Sequence, residues 1–479
     1  MPRRGLLRRI RSPLPQRHGR CRCRRRARPL PGSRRQQGCS PRPARRRGPP
    51  FAGGHQLRCL SRLRSPRPGV PRPGGGAPRL QQGGGAIAAS RTGQWVPGRP
   101  DFQLLALTAA LLVVGLVTVY SASFVIALAR FGQPNYYITR QVIWAALGCL
   151  LMVAAIRTDY RRYETFAVPI MIATIGALLA VLIIGIEGGG ARRWIGVGEF
   201  TVQPSEFAKL AVIIYLAAWL AGKGDSIRSF EHGLVPFVLI ISSVAVLIML
   251  EPNLGTSLVL LLITVTMFWV AGASFLQMVA LGSTGVVVML VLALREGYRA
   301  DRMSAFLNPE ADPLGNGFQT LQALMAMGNG GISGLGLGAS RAKFFYIPES
   351  HTDGVFAILG EELGIIATMT VLLFFMAFMV RGYQIARRSR DQFGMLVATG
   401  ITTWFTLQAL MNIGGITRVI PLTGVPLPFL SYGGNALAAE LLAAGVLVSI
   451  SRFGTDRGGY LDRDHKVAPD RKIVRREQR

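Results

Sequence analysis

Acidic side chains and lysine are entirely absent from the first hundred residues of this 479-residue chain. That stretch holds 26 Arg and 16 of the 28 prolines, a composition that cannot bury an apolar core. Aromatic residues, which stack on nucleic-acid bases, are nearly absent from it as well, which argues against nucleic acid as a partner. We expect residues 1–100 to be a disordered leader or to lie upstream of the true start codon; a basic arm on anionic lipid headgroups is the alternative.

Cysteine and the common catalytic motifs are scarce too. Cys21, Cys23, Cys39 and Cys59 lie in the leader and Cys149 lies in an apolar run, a distribution that supports neither a disulfide framework nor a zinc site. The chain has only five His, no Gly-rich phosphate loop ending in Gly-Lys-Ser/Thr, no His-Glu-x-x-His and no Gly-x-Ser-x-Gly. ATP hydrolysis and zinc proteolysis are therefore unsupported.

Long apolar runs are what the chain has in abundance. Half of its residues are hydrophobic, 16% are charged and the mean hydropathy is +0.34. Runs of about 17 to 25 residues match a hydrocarbon core of roughly 30 Å, which such segments cross as helices. We predict an all-α polytopic membrane protein with about ten transmembrane helices, at 102–126, 139–156, 165–186, 206–221, 233–250, 254–272, 275–295, 355–380, 392–413 and 430–451.

The orientation of this bundle follows from the basic residues in its short loops. Arg and Lys accumulate after the second, fourth and eighth runs and in the tail at 453–479, while the opposite face receives Arg130, two long segments and the stretch 414–429. We therefore place both termini in the cytoplasm. Two long loops, at 187–203 and 296–354, then lie on the outer face, and loops of this length usually carry function.

Three groups of polar residues interrupt the apolar body near the ends of the runs. The first contains the pair Arg192 and Arg193, followed by Glu206 and Lys209. An arginine pair can bind a phosphate, whereas Glu206 and Lys209, three residues apart at a helix start, can simply pair with each other. The residues alone leave these two interpretations equal.

The second group is the segment Glu251–Thr256, between two apolar runs with almost no room for a loop. Pro252 is typical of a helix break and Asn253 of a helix cap, so a structural role is favoured. Glu251 has no obvious partner.

The third group surrounds Asp353, where the second long loop enters a membrane helix. It contains the glycine-rich stretch 328–340, Lys343, the segment 348–353 and Glu361–Gly364. An isolated Asp at such a place more often caps a helix. Alternatively, Asp353 is a general base, because partial desolvation gives a carboxylate the raised basicity that a base requires.

Seven motifs, in order over residues 104–452, resemble the SEDS family (shape, elongation, division and sporulation) of membrane glycosyltransferases, which polymerise lipid II. They are GARRWI at 190–195, QPSEFAKL at 203–210, EPNLGT at 251–256, GLGLGAS at 334–340, PESHTD at 348–353, GEELG at 360–364, and MNIGGIT with PLTGVPLPFLSYGG at 411–434. The family's ten helices and cytoplasmic termini agree with the hydropathy prediction.

The resemblance implies roles for individual residues. It implies that Asp353 is the essential carboxylate of the large outer loop between helices 7 and 8. The implied substrate-binding residues are Arg192, Arg193, Lys209, Lys343, Glu349 and Ser340, and the implied structural residues of the motifs are Glu206, Glu251, Glu362, Pro426 and Gly433.

The sequence departs from the family pattern at three places. Gly354 stands where an aromatic residue commonly follows the HTD triplet, and Asn435 and Ala436 replace a pair of serines. Glu440 adds a charge to the last helix, where it needs a partner that the sequence does not identify.

The expected chemistry needs only one base, because the leaving group is already an anion. Asp353 would take the proton from the acceptor's 4-hydroxyl while the MurNAc of the growing strand is attacked with inversion, and undecaprenyl pyrophosphate would leave. Arg192, Arg193, Lys343 or a divalent cation such as Mg²⁺ or Mn²⁺ would stabilise the pyrophosphate.

The predicted organisation is a leader at 1–100, a SEDS transmembrane domain at 101–452 and a basic cytoplasmic tail at 453–479. The tail favours the division-associated FtsW type over the RodA type. Expected partners are lipid II, the nascent glycan strand, a class B penicillin-binding protein, other division proteins and the bilayer of a bacterial plasma membrane, with the active site outside. The alternatives are a lipid II flippase and a scaffold without catalysis; polar residues clustered at the outer helix ends favour the enzyme.

Overall fold

The computed structural model divides the chain into two units, Met1–Gly85 and Ala86–Arg479. It describes residues 95–188, 191–197, 200–295, 303, 306–315, 317–347, 350–454, 459–461 and 467–468, all of which belong to the second unit. The predicted leader up to residue 94, most of the predicted tail and Glu349 lie outside the described residues.

Helices make up most of the described chain. They are α1 Phe102–Phe131, α2 Tyr136–Arg157, α3 Arg161–Thr165, α4 Ala167–Ile184, α5 Pro204–Ala221, α6 Val235–Leu250, α7 Leu254–Val270, α8 Phe275–Arg295, α9 Phe318–Gly330, α10 Val355–Arg388, α11 Gln392–Ile416 and α12 Gly434–Arg452. The strands are β1 Trp95–Val96, β2 Ile186–Gly188, β3 Ala191–Val197, β4 Phe200–Val202, β5 Gly459–Leu461 and β6 Val467–Ala468. They form two small antiparallel sheets, β1-β5-β6 and β2-β3-β4.

The predicted multi-pass helical architecture is confirmed. Eight helices within the described residues are long and apolar enough to cross a membrane, and α7 and α8 contribute two shorter apolar helices. These ten coincide with the ten apolar runs of the sequence. The eighth span is longer than predicted, because α10 continues to Arg388. The short helices α3 and α9 and the sheet β2-β3-β4 were not predicted.

Some of the polar contacts join loops and helix ends at one end of the bundle or the other. At one end Arg381 donates from Nε to Asp101 Oδ2 at 2.9 Å, and Ser449 donates to the carbonyl of Thr158 at 2.7 Å. At the other end Asn435, the second residue of α12, donates from Nδ2 to the carbonyl of Thr201 in β4 at 2.9 Å. Each group of contacts joins loops that the charge rule places on one face. We call these faces the inner and the outer face accordingly.

Small residues let the helices approach closely in the centre of the bundle. A Cβ added at Gly445 of α12 would lie 2.6 Å from the carbonyl oxygen of Met152 in α2. A Cβ at Gly148 of α2 would lie 3.1 Å from the Cα of Ala438. Membrane helices usually pack by close backbone approach through small residues. The hydrophobic effect does not drive their association, because the lipid tails are as apolar as the side chains.

Helix α10 is broken at Gly364, which has φ 70° and ψ −169°. The peptide groups freed by this break pair with residues 331–347, which we call the re-entrant segment. Ile365 N donates to the carbonyl of Gly331 at 2.9 Å, and Leu335 N donates to the carbonyl of Glu361 at 3.0 Å. These contacts lie six to ten residues into α10, or about 9–15 Å along its axis. The segment therefore lies alongside the outer half of α10, where part of its backbone pairs with protein groups.

Candidate active site at the outer face

Residues 417–433 connect α11 to α12 at the outer face. We call them the outer segment. Asn412 in α11 donates from Nδ2 to the carbonyl of Val425 at 2.8 Å. Gln141 in α2 donates to the carbonyl of Ser431 at 3.2 Å. Gly255 in α7 lies so close that an added Cβ would be 2.9 Å from the carbonyl of Thr423. The outer segment is thereby fixed to three different helices.

Asp353 is half-buried, just before α10. If Asp353 were the cap residue, α10 would begin at Gly354. In the structure Gly354, which has no side chain, is itself the cap residue, and α10 begins one residue later. Asn412 Nδ2 also donates to the carbonyl of Asp353, at 3.1 Å. The amide of Tyr432 donates to the carbonyl of His351 at 2.8 Å. Asp353 is therefore held to the outer segment through its own backbone and that of its neighbour.

An aromatic wall stands beside Asp353. The imidazole of His351 lies 4.6 Å from the ring of Tyr137 and 5.5 Å from the ring of Tyr432, measured between centroids. Burial raises the pKa of Tyr432 to about 12, although the nearby Arg140 guanidinium opposes this. The Tyr432 hydroxyl therefore stays protonated at neutral pH and can donate but not act as a base.

Lys343, predicted to bind substrate, is fully buried in the re-entrant segment. Its ammonium group contacts Glu362 Oε1 at 2.9 Å and the carbonyl of Gly338 at 2.6 Å. The same carboxylate accepts the hydroxyl of Ser121 in α1, at 2.6 and 2.7 Å from its two oxygens. The positive charge of Lys343 is thus paired inside the protein and joins the re-entrant segment to α1 and α10.

Ser340, the other predicted binding residue in this segment, has a similar position. Its hydroxyl donates to the carboxylate of Glu361, which also accepts the backbone amides of Arg341 and Ala342 at 3.2 Å each. Both Ser340 and Glu361 are buried. The neighbouring acids Glu361 and Glu362 therefore order the glycine-rich stretch that the sequence singled out.

The arginine pair lies on strand β3, and its two members have different surroundings. Arg193 donates from Nε to the carbonyl of Glu251 at 3.0 Å and from a terminal nitrogen to the carbonyl of Pro252. Arg192 projects outward, is 55% exposed and pairs with Glu187, which is 66% exposed, at 2.9 Å. Arg193 fixes the antiparallel hairpin of β3 and β4 to the turn before α7, whereas Arg192 is accessible to a ligand in solution.

Glu251, in that turn, is completely buried, and neither of its carboxylate oxygens makes a hydrogen bond within the described chain. Burial raises the pKa of Glu251 to about 7, and the nearby Ser205 hydroxyl and Arg193 guanidinium oppose the shift. Asn253 accepts the amide of Thr256 at 3.3 Å, which confirms it as the cap of α7.

Glu440, which the sequence left without a partner, belongs to a buried polar network. Lys209 Nζ contacts Glu206 Oε2 at 2.7 Å and Gln408 Oε1 at 3.2 Å. Gln408 in turn donates from Nε2 to Glu440 Oε1 at 3.0 Å, and the amide of Phe429 donates to Glu440 Oε2 at 2.8 Å. Glu206 and Lys209 do pair, which is one of the two interpretations that the sequence left equal. Sequence reasoning missed Gln408, although a glutamine within an apolar run was the available signal.

The two remaining motif residues support the outer segment through their backbone. The carbonyl of Pro426 accepts Gln408 Nε2 at 3.0 Å, and the amide of Gly433 donates to Gln141 Oε1 at 3.3 Å. For the predicted divalent cation, the described residues contain no group of three or more His, Cys, Asp or Glu that could hold a metal ion.

The sequence and fold were compared with those of known proteins. Residues 102–456 match a protein family described as "Cell cycle protein", which groups FtsW, RodA and SpoVE. Stage V sporulation protein E of Bacillus subtilis is 44% identical over 356 residues, 74% of this chain and 97% of that protein. A protein of Geobacter sulfurreducens named "Probable peptidoglycan glycosyltransferase FtsW" is 38% identical over 355 residues, 74% and 95% of the two chains.

Solved structures show the same fold. A chain from a structure described as "Structural coordination of polymerization and crosslinking by a peptidoglycan synthase complex" superposes with a TM-score of 0.61 at 27% identity, over 74% of this chain and 98% of the other. The rod shape determining protein RodA of Thermus thermophilus superposes with a TM-score of 0.55 at 26% identity, over 74% and 97%.

Proposed function

The chain belongs to the SEDS family of FtsW, RodA and SpoVE proteins, and from that membership we propose that it polymerises lipid II into β-1,4 glycan strands, with undecaprenyl pyrophosphate as the leaving group. At the coarser level it is a multi-pass membrane protein and a peptidoglycan glycosyltransferase. The observation that carries the proposal is the position of Asp353, half-buried at the outer face and fixed to the outer segment.

Asp353 is the proposed base. Its carboxylate takes the proton of the acceptor's 4-hydroxyl as that oxygen attacks C1 of the lipid-linked MurNAc, and the bond from C1 to the pyrophosphate oxygen breaks. The electron pair of the broken bond leaves with undecaprenyl pyrophosphate, which needs no proton because it departs as an anion. Attack from the opposite side inverts the α-linkage to β-1,4.

The basic residues predicted to bind substrate divide into two groups in the structure. Lys343, Lys209 and Arg193 are bound to protein groups, so their proposed contribution is to hold the walls of the site. Arg192 is exposed on the hairpin and is the member of the predicted set best placed to reach a phosphate. Glu349 keeps its proposed role in substrate binding, at a position outside the described residues.

A role in septal synthesis with a class B penicillin-binding protein is the finer part of the proposal. The FtsW name of several relatives supports a function in division, while the name of the Bacillus subtilis relative refers to sporulation. The relative of known structure comes from a peptidoglycan synthase complex that coordinates polymerization and crosslinking, which supports a crosslinking partner. We place the protein in the bacterial plasma membrane with its site on the extracytoplasmic face.

The depth of the buried polar network argues against lipid II translocation. Lys209 lies five residues into α5 and Glu440 six residues into α12, about 8–9 Å from the outer helix ends. Gln408 lies eight residues from the outer end of α11. A flippase needs polar groups through the bilayer midplane, whereas this network is confined to the outer half of the bundle.

The direct comparison uses the purified chain in proteoliposomes with lipid II labelled on its peptide. We expect glycan polymer to form without net movement of intact lipid II between leaflets. Movement of lipid II without polymer, with or without an added transpeptidase partner, would establish the transporter instead.

A further inference from the structure

A groove on the outer face lies next to the aromatic wall and takes no part in the mechanism above. It has a volume of about 450 Å³ and is formed by the outer ends of α1 and α2. Its walls include the aromatic residues Phe131, Tyr136 and Trp144, and one cation, Arg140. The Arg140 guanidinium lies over the Tyr136 ring, 4.5 Å from its centroid.

One of the motif glycines brings the groove next to the candidate active site. Trp144 packs directly on Gly434, the first residue of α12, so closely that any Cβ at Gly434 would overlap the indole ring. Arg140 interacts electrostatically with Tyr432, whose amide binds the carbonyl of His351. The groove therefore adjoins the wall beside Asp353 and does not stand apart on the bundle.

Below the groove, α2 presents an apolar stripe to the bilayer. Ile143, Leu147 and Leu150 are 48%, 43% and 69% exposed. They follow Arg140 at intervals of three, four and three residues, so all four lie on one face of the helix. Leu150 lies about 15 Å deeper than Arg140, roughly half the thickness of a hydrocarbon core.

We propose that this groove binds the pyrophosphate of a polyprenyl lipid, with Arg140 on the phosphates and the prenyl chain along Ile143, Leu147 and Leu150. A guanidinium at the water–lipid boundary matches a diphosphate through paired N–H bonds, and flanking aromatic residues are typical of that boundary. The site lies beside the base, where a leaving pyrophosphate would be released. The identity of the lipid rests on the proposed function; the anionic headgroup and the apolar stripe do not.

The test is a binding measurement that does not require turnover. The purified chain in phosphatidylcholine nanodiscs is titrated with undecaprenyl pyrophosphate, and binding is scored by native mass spectrometry. We expect Arg140→Gln to weaken binding at least fivefold and Arg140→Lys to weaken it about twofold, since lysine keeps the charge but loses the paired geometry. Arg130→Gln, a matched arginine at the outer end of α1 that does not line the groove, is expected to bind like the unmodified chain.

Equal binding by Arg140→Gln and the unmodified chain would overturn the proposal. So would displacement of undecaprenyl pyrophosphate by an equal concentration of phosphatidylglycerol, which would reduce the groove to an ordinary contact with anionic lipid. If Arg140→Gln fails to insert, Arg140→Lys carries the test, and unchanged binding by that variant counts against the groove. A chain that binds the lipid through Arg140 and yet makes no polymer would refute the proposed polymerase and leave the groove intact.

Discussion

At the scale of single residues, burial and ion pairing distinguish the two lysines predicted to bind substrate from the exposed Arg192. Lys343 and Lys209 are each within 3 Å of a carboxylate and are almost completely buried. A buried ion pair contributes little net stability compared with an apolar pair, but removing one partner leaves the other charge without compensation. Such residues are therefore essential to a fold for reasons that do not require contact with substrate.

The pair formed by Lys343 and Glu362 gives a prediction that separates these roles. Lys343→Met leaves Glu362 buried and unpaired, and we expect it to destabilise the protein by about 3–5 kcal/mol. The double variant Lys343→Met/Glu362→Gln is expected to recover part of that loss, because the two sites are in contact. Thermal unfolding in detergent measures both. If the single variant is as stable as the unmodified chain but fails to polymerise lipid II, Lys343 acts on the substrate after all.

Glu251 predicts a dependence of stability on pH. Its pKa of about 7 exceeds the ordinary value of 4.5, so the folded protein holds this proton more tightly than the unfolded chain. Stability therefore falls as the pH rises from about 4.5 to 7 and levels off above that, with a total change of about 3 kcal/mol. Glu251→Gln is expected to remove this change. Identical pH profiles of the melting temperature for the two proteins would contradict the assignment.

At the scale of helices and segments, the break in α10 organises the outer half of the bundle. Glu361 and Glu362 lie just before Gly364. The amide and carbonyl groups that the break leaves without helical partners pair with the re-entrant segment. Gly364 needs its glycine for two reasons: φ is positive, and an added Cβ would lie 2.5 Å from the carbonyl of Ile332.

Substitution of Gly364 tests that organisation. Gly364→Ala is expected to lower the free energy of unfolding by at least about 2 kcal/mol, through strain at a positive φ and loss of the close backbone contact. Gly176→Ala, in α4 where a Cβ meets nothing within 4 Å, is the matched control and is expected to be neutral or slightly stabilising. Equal melting temperatures for the two variants would mean that the re-entrant segment does not depend on the break.

The sequence predicts the positions of the helices better than it predicts which side chains meet. The ten apolar runs correspond to helices because hydropathy is a local property. The pairing of Lys343 with Glu362 could not be derived, because their side chains meet only after the chain re-enters alongside α10. Glu440 likewise finds Gln408 on a different helix. The sheet β2-β3-β4 was not predicted because its residues lie in a loop whose local pattern carries no clear alternation.

At the scale of the whole molecule, the inner and outer faces are built differently. At the inner end, the helices are joined by individual side-chain contacts, such as the ion pair between Arg381 and Asp101. The outer end is organised by one stretch of chain, the outer segment, which contacts α2, α7 and α11 and positions Asp353. The reaction requires two long lipid-linked substrates to be held in a defined geometry. A rigid outer segment with a carboxylate at its edge meets this requirement.

The most direct measurement is glycan polymer formed from lipid II by the Asp353→Asn variant, beside Asp312→Asn as a matched carboxylate on the same outer loop. Both variants are first shown to insert and to elute like the unmodified chain. We expect Asp312→Asn to polymerise normally and Asp353→Asn to lose activity by a factor of about 10² or more, since the amide cannot accept the proton. Polymer at the normal rate from Asp353→Asn would remove this residue from the chemistry and with it the proposed role of the outer face.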